Sequence, residues 1–140
     1  MKKFFVVIII IFSFIVSIAQ PVDEMAIRKV LSNQVAAWNS GNIEKFMEGY
    51  WISDSMMFIG KSVTYGWHKT LDNYKKRYPD TTAMGKLSFN LLDFKPLSPV
   101  YYFVVGKWYL QRSIGNLEGY FTLLFKKIKG QWFITADHSS

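Results

Sequence analysis

Few groups in this chain can do chemistry, and each has a plainer role beside the chemical one. Asp54 stands between the aromatic pair Tyr50-Trp51 and the apolar run that begins at Met56. A carboxyl partly withdrawn from water has a raised pKa and can serve as a general base or acid. In Ser53-Asp54-Ser55 it can equally make a turn by bonding its own backbone. Asp137 and His138 are adjacent near the C-terminus. Neighbouring side chains on a strand point to opposite faces, so these two do not form a simple His–Asp pair. Alternation groups His138 with Trp132, Ile134 and Ala136, the inward set, and Asp137 with Phe133 and Thr135. His138 is then a proton donor or ligand anchor, its ordinary pKa being close to neutrality, or a structural residue fixing the chain end or a dimer contact. His68 follows Trp67 on the polar side of a helix and reads as a surface residue.

Whole classes of chemistry drop out. With no cysteine among 140 residues there is no thiolate nucleophile, Cys-ligated zinc or disulfide. The two histidines show neither HxH nor HxxxH spacing, so no metal site is expected. No GxSxG, GxGxxG or P-loop pattern occurs, which argues against hydrolase, dinucleotide and nucleotide roles. No cofactor is expected.

The elements that position these residues follow from periodicity. Ile27, Leu31, Val35 and Trp38 form one stripe of an amphipathic helix, with Asp23 as its N-cap after a lead-in at Gln20-Pro21-Val22. Asn39-Ser40-Gly41 ends that helix, Gly41 suiting the left-handed position. Asn42 caps a second, shorter helix carrying Ile43, Phe46, Met47 and Tyr50. Met56-Met57-Phe58-Ile59 fits a short buried strand, and Lys61 to Tyr65 a second strand or a loop. Gly66 opens a third helix on which Trp67, Leu71, Tyr74 and Tyr78 share a side. The residue before Pro79 is pushed out of helical geometry, which ends it.

Beyond Pro79 the apolar period changes to two. Lys86 to Lys95 alternates with a slip of phase near Leu91-Leu92 that a β-bulge explains. Pro96 to Pro99 is a turn or loop. Val100 to Arg112 is a long strand, and Gly119–Lys127 and Gln131–His138 form a hairpin about Lys129-Gly130. The hairpin has two registers. A three-residue loop with Gly130 left-handed pairs Trp132 and Ile134 with the Thr122-Leu124 face. A two-residue turn matches them to Phe121, Leu123 and Phe125, a better apolar fit that puts Lys129 at positive φ. Three helices followed by consecutive long strands give an α+β domain, its helices on one face of an antiparallel sheet.

The first nineteen residues stand apart. Lys2 and Lys3 precede the apolar run Phe4–Ile18, and Ser17-Ile18-Ala19 places small residues before Gln20, the pattern of a cleaved signal peptide. An uncleaved anchor is the rival, but the run is somewhat short for a span of about 20 residues. The reading is residues 1–19 as leader and 20–140 as one domain, exported to the periplasm or secreted, meeting the membrane only through the transient leader. The charge of +7 gathers in Lys75-Lys76-Arg77 and Lys126-Lys127-Lys129. These read as a solvated helix face and a charged hairpin tip rather than a nucleic-acid surface.

The series Trp38-Asn39-Ser40-Gly41-Asn42, Tyr50-Trp51-Ile52-Ser53-Asp54 and Thr64-Tyr65-Gly66-Trp67 resembles the helical half of nuclear transport factor 2-like domains. Val105-Gly106-Lys107-Trp108, Phe121-Thr122-Leu123, Gly130 to Ile134 and Asp137 to Ser140 continue the likeness, closest to the SnoaL-like, ketosteroid-isomerase-like branch. The resemblance implies a cone-shaped curved sheet around the three helices, a pocket in its mouth and dimerisation through the sheet. It also implies that an acid near Asp54 faces the pocket. A sheet of that shape leaves a void, and Trp38, Tyr50, Phe58, Trp67, Tyr74 and Trp108 are the aromatic set expected around it. Arg112 near a strand end can bind an anion at the rim or simply reach solvent. The leading expectation is a small hydrophobic ligand in that pocket. The alternatives are a cofactor-independent isomerase or dehydratase using Asp54 with His138 or Tyr50, and a dimeric protein-interaction scaffold.

Overall fold

A computed structural model describes residues 21–140, and the first helix, α1 (Lys2–Asn39), enters them from the N-terminal side. The leader expected over residues 1–19 lies outside the described residues. Pro21 and Val22 belong to α1 instead of preceding it, so Asp23 is not an N-cap. Its carboxylate does other work: Oδ1 accepts from Lys127 Nζ at 2.9 Å and from Trp132 Nε1 at 3.1 Å, tying α1 to the sheet. Among the described residues no helix is long and apolar enough to cross a membrane.

The expected stripe of α1 is its buried side, with Ile27, Leu31 and Trp38 almost fully enclosed. Gly41 takes φ +78° after the helix, and Asn42 caps α2 (Ile43–Met47) by accepting from Lys45 N at 2.9 Å. Helix α3 (Trp67–Arg77) stops before Pro79. A fourth short helix, α4 (Thr81–Met84), follows in a stretch that periodicity left unassigned; Asp80 accepts from Ala83 N at 2.8 Å and caps it. Asn39, at the end of α1, pairs with Leu87 like a strand residue. Its Nδ2 donates to Leu87 O (3.0 Å) and its Oδ1 accepts from Leu87 N (2.7 Å), so the start of the sheet is pinned to the helix.

Six strands form one curved, open sheet: β1 (Met57–Ile59), β2 (Val63–Tyr65), β3 (Lys86–Ser98), β4 (Tyr101–Gln111), β5 (Leu117–Ile128) and β6 (Gln131–Ser139), in the order β2-β1-β6-β5-β4-β3. The sheet is mixed and not wholly antiparallel, because β1 runs parallel to β6 with Phe58 opposite Asp137. Helix side chains Ile27, Leu31, Phe46 and Met47 meet Val104, Leu123, Phe125 and Ile134 of the inner face in one core. The expected slip in β3 is a bulge between Leu91 and Asp93. The strand also runs on through Pro96, which an edge strand tolerates because the missing N–H is not needed for a further partner.

The hairpin takes the two-residue register, with Lys127 opposite Trp132 and Phe125 opposite Ile134. Lys129 accordingly sits at φ +50° and Gly130 at φ +79°. Holding a non-glycine residue there costs about 1–2 kcal/mol. Burying Trp132 and Ile134 stabilises by about 1.5–3 kcal/mol each, so the apolar match wins over the turn. Lys129→Asn, which suits a turn of this kind, should raise stability by about 1 kcal/mol. Chemical denaturation of the two proteins checks it, and an unchanged or lower midpoint would show that Lys129 carries no strain.

Candidate functional site

Between the helices and the inner face of the sheet lies a cavity of about 520 Å³. Its helix side is a lattice of edge-to-face rings. Trp38 meets Tyr78 at 4.9 Å and Phe46 at 5.1 Å between centroids, and Tyr74 meets Phe46 at 5.4 Å and Phe58 at 5.7 Å. On the sheet side Phe89 packs edge-on to Phe121 at 5.2 Å, next to Trp108. Such rings are stiff, and their edge-to-face contacts hold a wall in place at a low entropy cost.

The indole N–H groups differ. Trp38 Nε1 donates to Met84 O at 3.1 Å and anchors its ring to α4. Trp67 Nε1 donates to Met47 O at 2.8 Å, and Trp67 is not among the side chains lining the cavity, although it was expected there. Its work is to tie α3 to α2. Trp108 lines the cavity, and its Nε1 is buried without a partner among the described residues. A Cβ on Gly119 would collide with the Ser140 carbonyl and come within 2.9 Å of that nitrogen, so only glycine fits beneath the end of the chain and the indole.

One polar corner interrupts the aromatic wall. Tyr50 donates to Asp137 Oδ2 at 2.6 Å and Ser139 donates to Asp137 Oδ1 at 2.7 Å. The Tyr74 hydroxyl is hydrogen-bonded to that of Tyr50. Asp137 is only 4% exposed. Burial pushes its carboxyl up to about 6, against the pull of the Tyr50 and Ser139 hydrogen bonds and of the His138 charge. Burial likewise drives Tyr50 and Tyr74 well above the usual phenol range, with the Asp137 charge adding to it. The phenols therefore stay protonated, while the carboxyl changes state close to neutrality, the condition for proton exchange with a bound molecule.

The structure redistributes the expected site residues. Trp38, Tyr50, Phe58, Tyr74 and Trp108 meet around the cavity. Asp54 does not: it is exposed, outside the lining, in a turn held by Ser53, whose Oγ accepts from Ser55 N at 3.0 Å. The segment Ser53-Asp54-Ser55 is a turn, and the side chain that bonds the backbone there is Ser53 and not Asp54. His138 also turns out the opposite way. Thr135 is skipped in the pairing of β5 and β6, which reverses the alternation beyond it. Asp137 and Ser139 then face inward opposite Leu123 and Phe121, and His138 is exposed, although it is among the residues that line the cavity. Arg112 is engaged elsewhere. It donates through Nε to Gly115 O at 2.7 Å and through Nη1 to Ala83 O at 3.1 Å, joining the β4–β5 turn to α4. Asp137 is the residue that sequence reasoning placed on the wrong face, and the buried Gln34, Thr64 and Thr70 in the lining went unremarked. Among the described residues no group of three or more His, Asp and Glu side chains converges.

The Asp137 environment sets a pH dependence. Unfolded, the carboxyl ionises near 3.8; folded, near 6. Between these values the native state binds more protons, so folding stability attributable to Asp137 falls as pH rises through that window and stays reduced above it. The loss is on the order of 2–3 kcal/mol. Asp137→Asn keeps an acceptor for Tyr50 without the charge. It should be more stable than the native chain at pH above 7, with the difference vanishing toward pH 4. Denaturant titrations across that range check it, and parallel profiles for the two proteins would disprove it.

Neither the known family models nor the curated proteins give a match to this chain. Solved structures do. A nuclear transport factor 2-like protein of unknown function from Shewanella oneidensis is 41% identical, with 86% of this chain and 98% of that one covered and a TM-score of 0.79. A nuclear transport factor 2-like protein of unknown function from Pseudomonas putida aligns at 14% identity over 86% of this chain and 87% of that one, TM-score 0.67. A ketosteroid isomerase-like protein from Erwinia carotovora atroseptica aligns at 13% identity over 83% and 93%, TM-score 0.64. These last two share the fold alone. With the Shewanella relative matched over nearly its whole length, the chain belongs to the nuclear transport factor 2-like family.

Proposed function

We propose that this domain binds a small, largely apolar molecule carrying a hydrogen-bond acceptor. The observation behind it is the aromatic cavity of about 520 Å³ with Trp108 in its wall, the N–H of that ring being buried without a partner among the described residues. Binding cavities for small molecules span about 300–1,000 Å³ and combine apolar walls with a few placed polar groups. A buried donor left unsatisfied costs about 1–3 kcal/mol, which an oxygen of the ligand would recover. Fluorenone and fluorene, equal in shape but differing in one carbonyl, test both halves. Each should raise the melting temperature, fluorenone more. Trp108→Phe, which keeps a ring and removes the N–H, should weaken fluorenone about tenfold and leave fluorene unchanged. Failure of both molecules to stabilise the protein would overturn the reading.

A second reading adds catalysis, and Asp137 favours it. With Asp54 turned to solvent, the cavity-wall carboxyl that titrates near neutrality takes over the general-base role, paired with the Tyr50–Tyr74 phenols as hydrogen-bond donors. The likeness to a ketosteroid isomerase-like protein supports this reading only at the level of fold. Asp137 would remove a proton from carbon next to a ligand carbonyl and return one from solvent. Exchange of those hydrogens of tetralone in deuterated water, followed by proton NMR, should be faster with the native protein than with Asp137→Asn. Equal rates would leave binding without catalysis.

A further inference from the structure

The side chains that line the cavity are not equally buried, and the exposed ones mark its mouth. Lys61 and Ser62 come from the β1–β2 turn, Asn73 and Arg77 from the outer side of α3, and His138 and Ser140 from the end of β6. These three elements are neighbours: β1 pairs with β6, and Asn73 Nδ2 donates to Thr64 Oγ1 of β2 at 3.2 Å. Inside are rings; at the rim stand two cations. The ion pairs among the described residues join other groups, such as Lys75 with Glu44 at 2.6 Å, and none involves Lys61 or Arg77. Arg77 directs its charge toward the cavity, lying 5.6 Å from the Tyr78 ring centroid and acting on the Tyr74 and Tyr78 hydroxyls. The acid in the wall, Asp137, already has both oxygens engaged by Tyr50 and Ser139.

We infer that the natural ligand is an amphipathic acid, its ring-bearing body among the aromatic side chains and its single carboxylate at the mouth between Lys61 and Arg77. This deepens the small-molecule reading and rests on it. A neutral molecule gains nothing from cations at the rim, whereas a carboxylate left in the mouth keeps part of its hydration and gains two counter-charges. Because both cations are exposed, the gain is modest and screened by salt.

Pyrenebutyrate and pyrenebutanol test it, since they share one polycyclic body and differ at the tail. In fluorescence titrations at low ionic strength the acid should bind about tenfold more tightly, equivalent to about 1.4 kcal/mol, and high salt should narrow the gap. The double variant Lys61→Gln/Arg77→Gln should lose the preference while binding the alcohol as the native protein does, which also serves as the control for folding. Equal binding of acid and alcohol by the native protein, or a preference that survives in the double variant, would overturn the inference and leave the small-molecule reading standing. Binding of neither probe would overturn both.

Discussion

Between the pairs Leu124–Ala136 and Phe125–Ile134 the ladder of β5 and β6 skips Thr135, whose hydroxyl donates to Leu124 O at 3.1 Å. A bulge of this kind bends a strand and re-aims every side chain after it. Before it, Trp132 and Ile134 point into the core; after it, Asp137 and Ser139 do. Had the pairing run on without the skip, the carboxyl would face water and the imidazole of His138 would face the rings. The parallel pairing of β1 begins just past the same bend, at Ala136. It lays Phe58 opposite Asp137, so an aromatic wall and the acid meet at one place. The polar corner of the cavity therefore follows from one unpaired residue.

Keeping a cavity open against collapse is a separate problem, because a void forfeits the contacts that would fill it. The rings around it are fastened from behind. Trp38 is bonded to the carbonyl of Met84, and Asn39 locks the start of β3 to α1, so α1 and the sheet cannot close on one another. On the far side Gly106 has no side chain, and Phe121, its cross-strand partner, lies across the space a Cβ would occupy. Phe121 is thus seated on the sheet itself, with Phe89 against its edge. The protein spends rigid aromatic contacts on holding a shape, and one anchoring donor, that of Trp108, has no partner among the described residues.

Most of the frame was legible because it depends on local repetition. The stripe Ile27, Leu31, Trp38, the Asn42 cap, the Gly41 stop, the slip at Leu91 and the strand Tyr101–Gln111 each follow from spacing or from a residue with special backbone freedom. What was not legible depends on distant partners. Nothing in Ile134-Thr135-Ala136 marks a bulge, since threonine and alanine are ordinary strand residues, and a strict alternation put His138 inside. Asp54 drew attention because of its apolar neighbours, but it is exposed and outside the cavity lining. Arg112 is near a strand end as expected, yet the β4–β5 turn and α4 bring two carbonyls to it, and its guanidinium is used there. The parallel seat of β1 beside β6 joins residues some eighty positions apart, beyond the reach of any local pattern.

The charges of the site can be ordered by how much water each retains. Lys61 and Arg77 sit at the mouth, exposed, where their attraction is weak and salt-dependent. Asp137 sits in the wall, nearly dry, where a charge is costly and its field is poorly screened. An anion entering the mouth would raise the cost of ionising Asp137, and by the reciprocity of linkage a protonated Asp137 would favour the anion. Its carboxyl titrates at about 6, so the coupling would widen upward from that value the pH range in which it holds a proton. A neutral Asp137 has a proton of its own to share, beside the Tyr50 and Tyr74 hydroxyls that are already engaged in the same polar corner. The same buried carboxyl that weakens the empty fold would then supply a donor to the filled one.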